Sequence, residues 1–216
     1  MFKIPFFKNT KDDLHCFQAC LKMVFKYYFP ERSYSFEELD KLSNHIKGKW
    51  TWQGTSLLAL SKMGFSVINI ENLDYREFSK YGKKYLQSIW TDKIFSAQNK
   101  FSDLEQEQEI AKTLIKSKKI KLINKEVKIE DIEKYFYRDF MVLVSINPFV
   151  LKNEKFYGSH MVIITNIDRR HVTFHNPGLP PFKNKIVSRK LFVKAMSRPL
   201  KEDNNLIALK FLSKVK

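Results

Sequence analysis

An α+β fold, with N-terminal helices packed on a mostly antiparallel sheet, is predicted from a change of period along the chain. Residues 13–29, "DLHCFQACLKMVFKYYF", place Cys16, Cys20, Met23, Val24 and Tyr27 at i, i+4, i+7, i+8 and i+11, the spacing of one helix face. Beyond residue 139 the runs are short and rich in β-branched and aromatic residues: "FMVLVSIN", "HMVIITNID" and "HVTFHNP". Helices first and a sheet later is the order of an α+β domain.

Each element follows from local chemistry. Asp13 reads as the N-cap of the first helix, and Pro30 ends it. Phe25, Tyr28 and Phe29 form an aromatic stripe expected in the core. Ser35 and Glu38 have capping-box spacing and open a second helix. Residues 55–63 form a third helix that stops at Gly64, and "FSVINIE" follows as a strand. From about 74 to 138 the pattern is polar and helical: "DYREFSKYGKKYLQSIW", "SDLEQEQEIAKTLIKSKK" opened by Ser102 and Glu105, and "KIEDIEKYFY". This stretch reads as a helical insertion within a single domain spanning 1–216. The strands at 140–147 and 160–168 are apolar on both alternating faces, which places them in the sheet centre with cover on both sides. "SRKLFVKAM" is a short helix and "NLIALKFL" the last strand.

Composition narrows the function classes. The chain is 44% hydrophobic with only 6 Gly and 7 Pro, which favours a packed core over low-complexity linkers. No run approaches the roughly 18 apolar residues of a bilayer-spanning helix. The apolar start is short and soon interrupted, unlike a signal peptide. A cytoplasmic protein without membrane insertion is expected, with both thiols reduced, since helix positions i and i+4 do not hold two sulfurs in bonding geometry. The net charge of +16 comes from lysines scattered among acids, without a basic run or an RNA-binding signature, so no specific nucleic-acid partner is expected.

The chemistry centres on "DDLHCFQAC". Cys16 sits at a helix start, where unpaired N–H groups favour a thiolate. A nucleophilic thiol also needs a base and a group to orient that base. His160 opens one strand and Asn176 closes the next, sixteen residues further on. If the connecting loop is odd and centred on Asp168, His160 and Asn176 lie opposite each other on one face, about 4.5–5.5 Å apart at Cβ. An even loop sends them to opposite faces.

The blocks "IPFFKNTKDDLHCFQACLKM" and "GSHMVIITNID…HVTFHNPGLPP" resemble the C39-like branch of the papain-like cysteine peptidases. The resemblance implies a papain-like fold with Cys16 as nucleophile, His160 as base and Asn176 as the orienting residue. It also implies an oxyanion donor near Thr10, with Asn9 beside it as the better amide. The pattern departs from the family at Phe17 and Gln18, where glycine commonly follows the nucleophile. The implied activity is hydrolysis of a peptide or related amide bond through a thioester, on a peptide or acyl substrate and with no cofactor. Acyl transfer to an amine uses the same residues, and an inactive peptide-binding module keeps only the fold.

Plainer roles exist for each residue. Cys16 alone reads as a core thiol, His160 as a strand start, and Asn176 as a turn residue before Pro177 and Gly178; the three together favour the nucleophile. Cys20 is expected in the core. A zinc site from Cys16, Cys20, His160 and His175 lacks finger spacing, and no metal is expected. Trp50 and Trp52 either wall a cleft or pack on the first helix.

Overall fold

Seven strands form one sheet in the computed structural model, which describes residues 3–156, 158–197 and 204–212; the first two residues of the apolar start lie outside these. The chain runs α1 (Cys16–Tyr28), α2 (Phe36–Ser43), α3 (Gly54–Lys62), β1 (Phe65–Glu71), α4 (Tyr75–Tyr81), α5 (Lys83–Ile89), α6 (Asp92–Phe101) and α7 (Leu104–Leu114). It continues with β2 (Ile120–Asn124), α8 (Ile129–Phe136), β3 (Met141–Ile146), β4 (His160–Ile167), β5 (His171–Asn176), β6 (Phe182–Ser188), α9 (Arg189–Met196) and β7 (Asn205–Phe211). The strand order is β2-β1-β7-β3-β4-β5-β6, and only β1–β2 is parallel. The fold is α+β with a mostly antiparallel sheet.

Period-two alternation in the central strands explains the layers. Met141, Leu143, Met161, Ile163, Ile207 and Leu209 face a core shared with Cys20, Leu21, Val24 and Phe25 of α1. Val142, Val144, Val162, Ile164, Leu206 and Ala208 face a second core, with Ile132 and Phe136 of α8 and Phe192 of α9. Helices therefore cover the sheet on both sides, as the doubly apolar strands require. Phe25 is fully buried, with its ring 4.5 Å from Tyr34 and 6.2 Å from Phe65. Phe25→Ala is expected to destabilise the fold by about 3–5 kcal/mol in denaturant unfolding, through lost burial and the cavity left behind.

Several elements depart from the sequence reading. The first helix starts later than expected: Asp13 takes a left-handed conformation, φ +59°, two residues ahead of His15, which holds the cap position. Cys16 is thus the first helical residue rather than the third. The run expected as one helix after Asp74 breaks into α4 and α5 at Gly82, whose φ is +54°. Ser102 does not cap α7; Asp103 does, accepting from the Gln106 N–H, while Ser102 Oγ accepts from Trp52 Nε1. The 74–138 stretch also contains α6 and a strand, β2, which extends the sheet beside β1. β6 is a further strand in a stretch where none was expected.

The N-terminal segment is tied to the far end of the chain. His175 Nδ1 accepts from the Asn184 N–H, so Nε2 carries the proton and donates to the Ile4 carbonyl at 3.0 Å. The Asn9 N–H donates to the Pro177 carbonyl at 2.8 Å. These bonds fix the start of α1 next to the β5–β6 turn, and hence the thiol next to the strand ends.

Candidate active site

Cys16 and Cys20 face β4 one helical turn apart and hold the same residue. The Met161 N–H donates to Cys16 Sγ, and Cys20 Sγ donates to the Met161 carbonyl, both at 3.5 Å. Cys20 is fully buried, and burial pushes its thiol well above the ordinary range. Cys16 remains partly exposed and lines a cleft of about 390 Å³ with His160, Phe17, Trp50, Trp52 and Asp13.

His160 Nε2 lies 2.7 Å from Asn176 Oδ1. The Gly178 N–H also donates to that oxygen, at 3.1 Å, which fixes the orientation of the amide. Nε2 must then be the protonated nitrogen, leaving Nδ1 as the ring nitrogen free to exchange a proton, with the Cys16 thiol as the ring's neighbour on the cleft. His160 and Asn176 are both nearly buried.

The hairpin achieves this by a route the sequence did not indicate. Only Arg169 and Arg170 separate Asp168 from His171, whose carbonyl accepts from the Asp168 N–H, so the loop is even. Near the turn the pairs are Ile167↔Val172 and Asn166↔Thr173, a register that alone sends His160 and Asn176 to opposite faces. A bulge at Thr165 inserts one residue, and the pairing resumes as Ile164↔Phe174 and Ile163↔His175. The two side chains return to one face, diagonal rather than opposite. Extending that register sets Gly178 across from His160, where an added Cβ would lie 2.7 Å from the ring Cε1.

Charge at the site favours an ion pair. Burial opposes ionisation of Cys16, but the adjacent His160 charge, its hydrogen bond and the Met161 N–H outweigh it and lower the thiol's pKa, against an opposing push from Asp13. Burial likewise opposes a charged His160, yet the Cys16 thiolate, its hydrogen bond, Asp13 and Asn176 together raise the ring's pKa.

Asn9 and Thr10 take other positions than the resemblance implied. Neither lines the cleft. Asn9 Nδ2 donates to Asp13 Oδ1 at 2.6 Å, and its Oδ1 accepts from the His15 N–H at 2.9 Å. Thr10 Oγ1 is engaged with Asp12 Oδ1 at 2.6 Å and His15 Nδ1 at 2.7 Å. Both residues shape the left-handed turn before α1. The amides of the first helical turn, from Cys16 onward, have no intrahelical acceptor and are the donors the fold leaves beside the sulfur. Gln18 points inward, Nε2 donating to Ser43 Oγ at 3.1 Å and Thr51 Oγ1 at 3.2 Å, so it tethers α1 to the segment carrying the tryptophans.

Trp50 and Trp52 wall the cleft and pack on the 74–138 stretch rather than on α1. Trp50 stacks on Phe101 at 5.1 Å, and Trp52 lies against Phe78 and Trp90. Trp90, Glu71, Ser145 and Asn205 also line the cleft, and sequence reasoning singled out none of them. They carry no motif; the sheet order brings Glu71, Asn205 and Ser145 together, and Trp90 joins them from the end of α5.

No protein-family model matches the chain, and no curated protein does. Among solved structures it is similar to the crystal structure of the peptidase domain of Streptococcus ComA, a bi-functional ABC transporter involved in a quorum-sensing pathway. That likeness has 14% sequence identity and a TM-score of 0.48, over 95% of this chain and 97% of the other. Among the described residues, no helix is long and apolar enough to cross a membrane.

Proposed function

We propose that the chain is one papain-like domain and a cysteine hydrolase of peptide or related amide bonds. The observation that supports this most is that Cys16 and His160 line one solvent-open cleft while Asn176 Oδ1 holds the His160 ring from behind. Cys16 Sγ attacks the carbonyl carbon, and the first-turn amides of α1 receive the oxyanion. The C–N bond breaks as His160 Nδ1 gives its proton to the departing amine. His160 then takes a proton from water, whose oxygen attacks the thioester and frees the acid and the thiol. Asn176 holds the ring through its Nε2–H.

The direction of the two shifts sets the pH behaviour. The reactive pair forms as pH rises through the lowered pKa of Cys16 and is lost as pH rises through the raised pKa of His160. Alkylation by iodoacetamide, followed by peptide mapping, is expected to label Cys16 far faster than Cys20 and to begin below the ordinary thiol range. His160→Ala should return Cys16 labelling to ordinary alkaline behaviour. Asp13 raises the pKa of both groups, so Asp13→Asn should move both limbs of the activity profile to lower pH. Equal slow labelling of the two cysteines would instead support a binding module. Added amines that divert the acyl product would identify a transferase.

A further inference from the structure

We infer that the cleft seats a basic side chain, lysine or arginine, of its peptide ligand, with the Glu71 carboxylate as counter-ion. The peptide part of this inference rests on the function proposed above; the subsite itself does not. Glu71 ends β1 and Asn205 begins β7, and the two are cross-strand partners on the wall of the cleft that holds Cys16 and His160. Glu71 Oε1 accepts from Tyr75 Oη at 2.6 Å and from Asn69 Nδ2. Asn69 Oδ1 in turn accepts from Asn205 Nδ2 at 3.1 Å.

This relay fixes the Asn205 amide, because turning it over would set oxygen against oxygen. Its Oδ1 is therefore left without a partner, although Asn205 is only 3% exposed. That oxygen is itself out of reach of solvent, and its uncompensated partial negative charge adds to that of the Glu71 carboxylate across the strand pair. Glu71 has a similar lack: among the described residues no Lys, Arg or His forms an ion pair with it. In a chain of net charge +16, shortage of lysine does not explain that. Lys49 lines the same cleft, but its ammonium donates to the Lys100 carbonyl. Burial pushes Glu71 upward in pKa against its three hydrogen-bond donors, and Glu107 is pushed up to about 8, first by burial and then by the charges of Asp103 and Glu71.

The site thus offers acceptors and negative charge, and lacks a cation. Ammonium and guanidinium groups bring donors only, which matches. Trp52, Trp90 and Leu73 give the alkyl stem apolar surface and the charge aromatic faces.

The test uses the full chain carrying Cys16→Ala, so that no peptide is consumed. Tryptophan fluorescence reads binding of alanine-based pentapeptides bearing Lys, Arg, norleucine, Gln or Glu at each position in turn. At one position Lys or Arg should bind about tenfold or more tightly than norleucine. Adding Glu71→Gln, which keeps the shape, should reduce that preference to less than about twofold, and Asn205→Ala should weaken it in part. Absence of a basic preference at every position, or a preference unchanged by Glu71→Gln, overturns the inference. A basic preference without turnover by the unmodified chain keeps the subsite and removes the hydrolase reading; turnover without the preference does the reverse.

Discussion

Cys16→Ser is expected to lower kcat/KM for peptide hydrolysis by about 10⁴-fold or more, and His160→Ala by a similar amount. The reason is the same for both. A serine hydroxyl beside His160 does not ionise at any pH where the ring is still charged, so the ion pair cannot form. Without His160, the Cys16 thiol keeps the desolvation that opposes its charge and loses the two largest influences that overcome it. The leaving amine also loses its proton donor. Because the two groups act as one unit, the double variant should cost about as much as either alone, not the product. Steady-state kinetics on a fluorogenic peptide measure this. Additive losses would show that the two residues do not act on one step.

The parts of the fold legible in the sequence are those whose signal is local. The doubly apolar runs at β3 and β4 show burial on both faces directly, and Ser35 with Glu38 forms a capping box with both its bonds made. What was not legible depends on partners far away. β2 carries Lys121 on an edge and is half exposed, so composition does not separate it from a polar helix; only β1 alongside makes it a strand. β6 is similar, an exposed edge strand held by β5. Gly82 was visible, but its left-handed conformation, which breaks the helix, was not.

The site divides in the same way. Cys16 near a helix start and His160 at a strand start follow from periodicity, although the cap falls on His15 and not on Asp13. The contact between His160 and Asn176 rests on an even loop corrected by the Thr165 bulge, two features that cancel in their effect on facing and leave no mark in composition. The family resemblance implies an oxyanion donor at Thr10 or Asn9, and the turn around Asp13 engages the polar groups of both. Of the cleft wall only Trp50 and Trp52 were legible, since Glu71, Asn205 and Ser145 meet through the sheet order and Trp90 comes from the end of α5.

Gly178 gives the second large effect, and it follows from space rather than chemistry. A methyl group there would stand 2.7 Å from His160 Cε1, 2.9 Å from Nε2 and 3.2 Å from Asn176 Oδ1. Its φ is not left-handed, so the backbone accepts alanine and the whole cost falls on the ring and the amide. The ring is nearly buried and borders the cleft, so the added methyl pushes it away from Asn176. Gly178→Ala is therefore expected to lengthen the 2.7 Å bond, tilt Nδ1 off the sulfur and lower kcat/KM by about 10²-fold, the scale of a misplacement near 1 Å. The variant should fold normally, as thermal unfolding will show. Asn176→Ala acts on the same ring by removing its acceptor, so the two changes should combine to less than the product of their separate losses. A Gly178→Ala enzyme with unchanged rate and pH profile would mean that His160 is not held by this amide during turnover. Full loss with unchanged Cys16 alkylation would instead place the methyl's effect on substrate access rather than on the ring.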